Sequence, residues 1–142
     1  MNNVELEKFD KLFKFLPKSK IKAREGLEEG KYKFFRSSSI QSQYLNEFLY
    51  DTESLIFGSG GKASVHYCDK RFATSTDCFV VEKLSDKIDV KYVYYFLKTN
   101  FQILENGFKG AALKHISKKY ISNINIPLLS IDIQRKIALY LS

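Results

Sequence analysis

Apolar positions along the chain change their period several times, and each change predicts an element. Val4, Leu6, Phe9, Leu12 and Phe13 recur at helical spacing, which predicts a short helix over 4–15 that Pro17 ends. Residues 31–36 (Lys-Tyr-Lys-Phe-Phe-Arg) are aromatic-rich and extended, and the polar Ser37-Ser38-Ser39 follows. Residues 54–57 (Ser-Leu-Ile-Phe) predict a short apolar strand stopped by Gly58-Ser59-Gly60-Gly61. Ala63, Val65 and Tyr67 then alternate with polar neighbours, so 62–68 reads as the hairpin return. Residues 78–81 (Cys-Phe-Val-Val) are a further buried-type strand. The clearest helical pattern is 88–104, where Ile88, Val93, Phe96, Leu97, Phe101 and Leu104 share a face and Asp86 or Ser85 can cap the start. Beyond it, Gly107 and Gly110 punctuate a loop, Ser117 can open one helical turn, and Ile121–Leu128 alternates as an edge-type strand with Pro127 at its end. Ser130 has the chemistry of an N-cap and Asp132 suits the first turn of a last helix over 131–142, with Ile133, Ile137 and Tyr140/Leu141 as its apolar stripe. At ~1.5 Å per residue this helix is about 18 Å long. Apolar residues recur to its last turn, so the expectation is the beginning of something longer.

Strands and helices interleave without internal repeats, which predicts an α+β fold: one domain with a mixed, twisted β-sheet and hairpins packed by a few helices. A chain of 142 residues is one ordinary domain. Near this length about two-thirds of the unfolded surface can be buried without a metal or disulfide staple. Hydrophobic residues make up 44% and charged residues 27%, which excludes collagen, a disordered tail and a disulfide mini-protein. No stretch approaches the roughly 18 uncharged apolar residues of a membrane span. The opening Met-Asn-Asn-Val-Glu-Leu-Glu has neither a basic nor an apolar signal region, and Cys68 and Cys78 are too isolated for a disulfide framework. A cytoplasmic protein with reduced thiols is the expectation.

Charge adds a direction. Lys plus Arg is 23 against 16 for Asp plus Glu, a net +7. Residues 8–24 hold Lys8, Lys11, Lys14, Lys18, Lys20, Lys22 and Arg24 against Asp10 alone, and 107–119 hold Lys109, Lys114, Lys118, Lys119 and His115 with no acid. Acids gather at Glu25, Glu28, Glu29 and around Glu82–Asp89. Either run alone is an ordinary solvated face. Two separated runs with the acids elsewhere point to a polyanion.

Motifs for chemistry mostly fail. Gly58-Ser59-Gly60-Gly61-Lys62-Ala63 fits the dinucleotide pattern G-x-G-x-x-A. That pattern needs a helix starting at the glycines, and residues 63–68 instead alternate as a strand. The Walker A pattern fails because Ala63 follows Gly61-Lys62 and its first glycine falls on Ile56. A zinc site from His66, Cys68 and Cys78 lacks a fourth ligand. A Mg²⁺-dependent nuclease could draw on Asp77 and on Asp89-Val90-Lys91, although Asp89 also suits a helix start.

Residues 107–128 and 130–141 carry a resemblance. Gly107–Gly110, Ile116-Ser117-Lys118, Ile124-Asn125-Ile126-Pro127 and Gln134-Arg135-Lys136-Ile137 occur in the order that ends the target recognition domains of type I restriction–modification specificity subunits. In that family a glycine loop, an "isk-x-x-l" turn and an "i-x-ip-l" strand precede a Gln-x-x-Ile helix that opens a conserved spacer. Upstream, Gly30–Ser38 resembles the family's "G-x-y-x-f-f" strand, Leu55–Gly61 its glycine hairpin, and Ser75-Thr76-Asp77-Cys78-Phe79 its "s-x-d-x-f" strand. The likeness runs over residues 5–142. It departs at Leu128-Leu129, where the family often has Pro-Pro, and in holding one recognition domain where a full subunit usually has two.

The resemblance implies a recognition domain over 1–129 and the start of a spacer helix over 130–142. It implies a non-catalytic reader of double-stranded DNA that directs a methylation subunit and a restriction subunit. S-adenosylmethionine, ATP and Mg²⁺ would belong to those partners, and this chain would hold no cofactor. The spacer helix, with Ile133, Gln134, Ile137 and Leu141, is the candidate partner surface and a possible route to a dimer. Lysines supply affinity by neutralising phosphates, whereas specificity needs groups that reach base edges. The base-reading candidates are Ser37, Ser38, Gln41, Gln43, Ser59, Lys62 and His66, and the phosphate candidates are Lys109, Lys114, His115 and Lys118. Each also has an ordinary reading as turn or surface. A recognition domain serving a type II methylase–nuclease, and the small nuclease above, stay open as alternatives.

Overall fold

The computed structural model describes residues 4–142, whose β structure is divided among three small sheets. The largest has the order β2(Phe13–Phe15), β8(Cys78–Lys83), β5(Ser54–Gly58), β6(Val65–Cys68), antiparallel throughout. The second is mixed: β3(Tyr32–Phe35) lies antiparallel to β4(Gln43–Leu45) and parallel to β7(Phe72–Thr74). The third pairs β1(Leu6–Lys8) with β9(Asn125–Pro127).

The register of the four-stranded sheet explains why there are two cores. Phe13 and Phe15 of β2, Phe79 and Val81 of β8, Leu55 and Phe57 of β5, and Val65 and Tyr67 of β6 share one face by the period-2 alternation of strands. That face packs on α1(Phe9–Leu12), α2(Val90–Thr99), α3(Gln102–Glu105), α4(Lys118–Ser122) and α5(Ile131–Leu141), around Phe9, Leu12, Ile88, Val93, Leu97, Leu104 and Ile121. The opposite face presents Ile56, Cys68, Cys78 and Val80 to Phe35, Tyr50 and Phe72, from the mixed sheet and the 49–52 segment. Every residue of β5 is buried, as a central strand covered on both faces requires.

The expected helix over 4–15 is instead strand, turn, strand. Only Phe9–Leu12 is helical, and the flanks pair as Glu7↔Ile126 and Lys14↔Glu82. A twelve-residue helix is marginal alone. Here Val4 and Leu6, two of its apolar positions, are exposed while the flanking backbone gains ladder partners.

The helix expected over 88–104 breaks after Thr99. Asp89, not Asp86 or Ser85, caps it by accepting from the Tyr92 N–H at 2.9 Å, an arrangement worth ~1 kcal/mol. Ser85 accepts from the Lys87 N–H and Asp86 pairs with Lys83, so both shape the preceding turn. At the other end Asn100 Nδ2 donates to the Phe96 carbonyl, and α3 follows as one further turn. The edge strand expected over 121–128 is cut to three residues because α4 runs through Ser122. Ser117 and Ser130 cap α4 and α5 as their sequences predict. Among the described residues, no helix is long and apolar enough to cross a membrane.

Candidate nucleic-acid interface

Three loops distant in sequence meet at the end of the four-stranded sheet where β5 stops and β8 starts. The first is the β5–β6 hairpin loop, 59–64. Its Ser59 N–H and hydroxyl both donate to the Asp77 carbonyl at 2.9 Å, which ties it to the start of β8. The second follows β3: the Ser37 hydroxyl donates to the Gly60 carbonyl at 2.6 Å and accepts from the Gly60 N–H at 3.1 Å. A Cβ on Gly58 would sit 2.6 Å from Ser37 Oγ and 2.4 Å from Ser64 Oγ, so only glycine lets this loop come so close. Gly61 completes the turn at φ +76, a conformation that favours glycine.

The third loop, 107–116, is joined to the hairpin through backbone alone. The Gly61 N–H donates to the Lys114 carbonyl at 2.9 Å and the Ile116 N–H to the Ser59 carbonyl at 3.0 Å. Within the loop, Lys109 and His115 exchange reciprocal N–H···O bonds of 2.9 and 2.8 Å, making a short two-stranded stem. Lys62, Lys109, Lys114 and His115 are therefore carried on fixed backbone with exposed side chains.

A cleft of about 590 Å³ opens between these loops and the end of α2. Phe101 and Phe108 line it, and Lys62, Lys98 and Lys114 contribute three cations against the single acid Glu105. The described residues form two ion pairs, Arg71–Asp51 and Lys83–Asp86, and neither takes one of those lysines. Lys118 stands over the Phe15 ring at 4.9 Å, and Lys18 over Phe79 at 4.7 Å. The two rings pack edge to face at 6.0 Å, so the first basic run reaches this pole through Lys18.

The polar candidates are placed differently from one another. Ser37 and Ser59 spend their hydroxyls on the loop scaffold, and Ser38 Oγ accepts from the Ile40 N–H. Gln41 Nε2 donates to the Gln43 carbonyl. Gln43 lies on β4 in the mixed sheet, its Oε1 buried without a partner beside Gly26. His66 lies on β6 over the Phe35 ring, its Nε2 2.6 Å from the Ser38 carbonyl. Burial holds its pKa below the usual histidine range, against the opposing pull of that carbonyl. Sequence reasoning missed Lys98, Phe101 and Phe108. Phe101 reads as core from its helical spacing, and only the break after Thr99 turns it to the cleft.

The alternative acids do not converge. Asp77 accepts from the Ser75 hydroxyl at the start of β8, and Asp89 caps α2 beyond the strand's far end. Among the described residues, no group of three or more His, Cys, Asp or Glu comes together as a metal cage. Cys68 and Cys78 are free and buried, and burial pushes the Cys78 thiol up to about 12.

The opposite pole is built around one side chain. Gln134 of α5 is fully buried. Its Oε1 accepts from the Asp89 N–H at 2.8 Å, and its Nε2 donates to the carbonyls of Lys87 at 2.9 Å and Leu129 at 2.8 Å. Gln134 and Ala138 form the inner face of the helix, with Ile137 half-buried. The expected stripe is thus corrected: Ile133 and Leu141 are about half exposed and Tyr140 is 89% exposed.

The whole chain, residues 1–142, matches the model of the type I restriction modification DNA specificity domain. It is 26% identical over 123 residues to the type I restriction enzyme MjaVIII specificity subunit of Methanocaldococcus jannaschii, covering 80% of this chain and 29% of that one. With the EcoDI specificity subunit of Escherichia coli it shares 28% identity over 124 residues, covering 87% and 27% respectively. The chain therefore spans less than a third of the length of these relatives. Its fold is similar to the crystal structure of a type I restriction–modification S subunit from M. genitalium, with a TM-score of 0.81, 23% identity, and coverage of 99% of this chain and 39% of that one.

Proposed function

Because the chain belongs to the type I restriction modification DNA specificity domain family, we propose that it reads the sequence of duplex DNA and directs methylation and restriction subunits to it, contributing no catalytic group itself. The observation that carries this reading is the joining of three loops at one pole, around a cleft ringed by Lys62, Lys98 and Lys114, none of which is in an ion pair among the described residues. Cations carried on a fixed backbone suit a phosphate surface, because only their side chains, and not the main chain, must be ordered when the polyanion arrives.

Lys62, Lys98, Lys109, Lys114 and His115 would neutralise phosphates, with Lys118 and Lys18 at the border. Residues 1–129 form the reader in this account, and 130–142 open the spacer through which partner subunits, or a second copy, are met. The cofactors of methyl transfer and cleavage sit on those partners, and the complex works in the cytoplasm. Binding of random and target duplexes across a salt series, with and without a type I methylation subunit, tests this. The expected result is a steep fall of affinity with salt, by a log–log slope of about 0.9 per phosphate contact, and a sequence preference that emerges in the assembled complex. Salt-independent or absent binding in both states would overturn it.

A further inference from the structure

The loop carrying Lys109, Lys114 and His115 ends in an apolar tip. Gly110, Ala111, Ala112 and Leu113 are all exposed, Leu113 by 71%. Its stem is the opposite of loose: the reciprocal Lys109–His115 bonds close it, and the Lys114 carbonyl and Ile116 N–H fasten it to the hairpin loop of the sheet. One exposed leucine is ordinary surface and carries nothing alone.

Three circumstances set Leu113 apart. Cations flank it on both sides, and no acid occurs between residues 107 and 119. A second loop of the same pole, 37–41, carries another large apolar residue, Ile40, at 70% exposure. The hydroxyls of Ser37, Ser38 and Ser59 in the neighbouring loops are meanwhile taken up by backbone partners. Those three serine hydroxyls serve the scaffold, while Leu113 and Ile40 are left in water. That inversion suits a surface whose partner supplies both anions and apolar edges.

Resting on the duplex-DNA reading above, we propose that Leu113 is a specificity residue that packs on the 5-methyl group of a thymine in the major groove. Thymine alone among the four bases presents a methyl there, and an apolar side chain is the group that reads it. A single bridge between Lys109 and His115 closes the loop so that its apolar tip projects, and the thymine methyl lies in the major groove, about 12 Å wide. Lys109, Lys114 and His115 would then meet phosphates on either side of the contacted base.

The test uses the full chain assembled with a type I methylation subunit. Selection from a randomised duplex pool identifies the preferred positions, and each preferred thymine is then replaced singly by uracil, which removes only the methyl. Burial of one methyl predicts that one such replacement weakens wild-type binding about fourfold. Leu113→Ala should lose both the preference for thymine at that position and the sensitivity to uracil, with an unchanged salt slope and an unchanged melting temperature. Insensitivity to uracil at every preferred thymine would overturn the proposal without needing any variant. So would a Leu113→Ala protein that stays as sensitive as wild type. If the assembled complex binds no duplex with sequence preference, the DNA-reading proposal itself falls and takes this one with it.

Discussion

The two poles of the molecule are fastened by opposite means. At the loop pole, 107–116 is tied to the β5–β6 hairpin through main-chain N–H and C=O groups of Ser59, Gly61, Lys114 and Ile116. The bonds between the loops are main-chain ones. Of the four side chains only that of Lys114 is free to change, since Ser59 also ties the hairpin to Asp77, Gly61 sits at φ +76 and Ile116 is buried. At the α5 pole the fastening is one side chain: Gln134 satisfies a backbone N–H and two backbone carbonyls from three segments. No other residue type matches that set of one acceptor and two donors in that shape. The first kind of joint lets exposed side chains such as Lys109 and Lys114 change while the frame is kept, whereas the second makes the seating of α5 depend on one side chain.

This contrast predicts the largest effect at Gln134. Gln134→Leu removes three hydrogen bonds and leaves the Asp89 N–H and the Lys87 and Leu129 carbonyls without their partner, at a cost of about 3 kcal/mol. Urea denaturation should read that loss, with the salt slope of DNA binding unchanged for the fraction still folded. Beneath the loop pole one side-chain fit is equally strict. A Cβ on Gly107 would lie 2.5 Å from the Tyr120 ring, whose hydroxyl is held by the Ile103 carbonyl at 2.6 Å. Gly107→Ala should therefore cost about 2 kcal/mol by the same denaturation measurement, since the ring cannot yield freely.

Above that layer the expected stability effects vanish and binding effects take over. Replacing Lys109 and Lys114 together by Gln should change stability by less than about 0.5 kcal/mol. The same pair should lower the salt slope by about 1.8, at 0.9 per lost phosphate contact. A stability loss comparable to that of Gln134→Leu would erase the distinction between the poles.

The smallest effect is a pH dependence at His66. Its pKa is lowered by burial from the ordinary value near 6.5, so the unfolded chain binds the proton more tightly than the folded one. The stability it contributes is present above about pH 6.5 and is lost as pH falls through the folded value. A falling urea midpoint between pH 7.5 and 5 that flattens in His66→Gln checks this.

Much of this arrangement was legible in the chain because it rests on local chemistry. Ser54–Phe57 and the following glycines give the hairpin directly, and Ser117 and Ser130 cap the helices their sequences promise. The Gln-x-x-Ile pattern marked Gln134 but as a helix-surface residue, since a polar side chain at helical spacing carries no sign of burial. What failed to show was set by long-range pairing. Phe72–Thr74 is too short to announce itself and becomes a strand only beside β3, while Leu6–Lys8 takes its conformation from β9, over a hundred residues away. The loop pole was half legible: the acid-free run 107–119 pointed to its cations, but nothing local placed Lys98 and Phe101 beside Lys62 and Lys114.

The most direct test of the central claim is amide chemical-shift mapping of the full chain titrated with duplex DNA at low salt. The account predicts that perturbed amides cluster at 58–64, 107–118 and the 37–41 loop, with Ile131–Leu141 and the β1–β9 pair unmoved. Perturbations centred on α5 with a silent loop pole would contradict it.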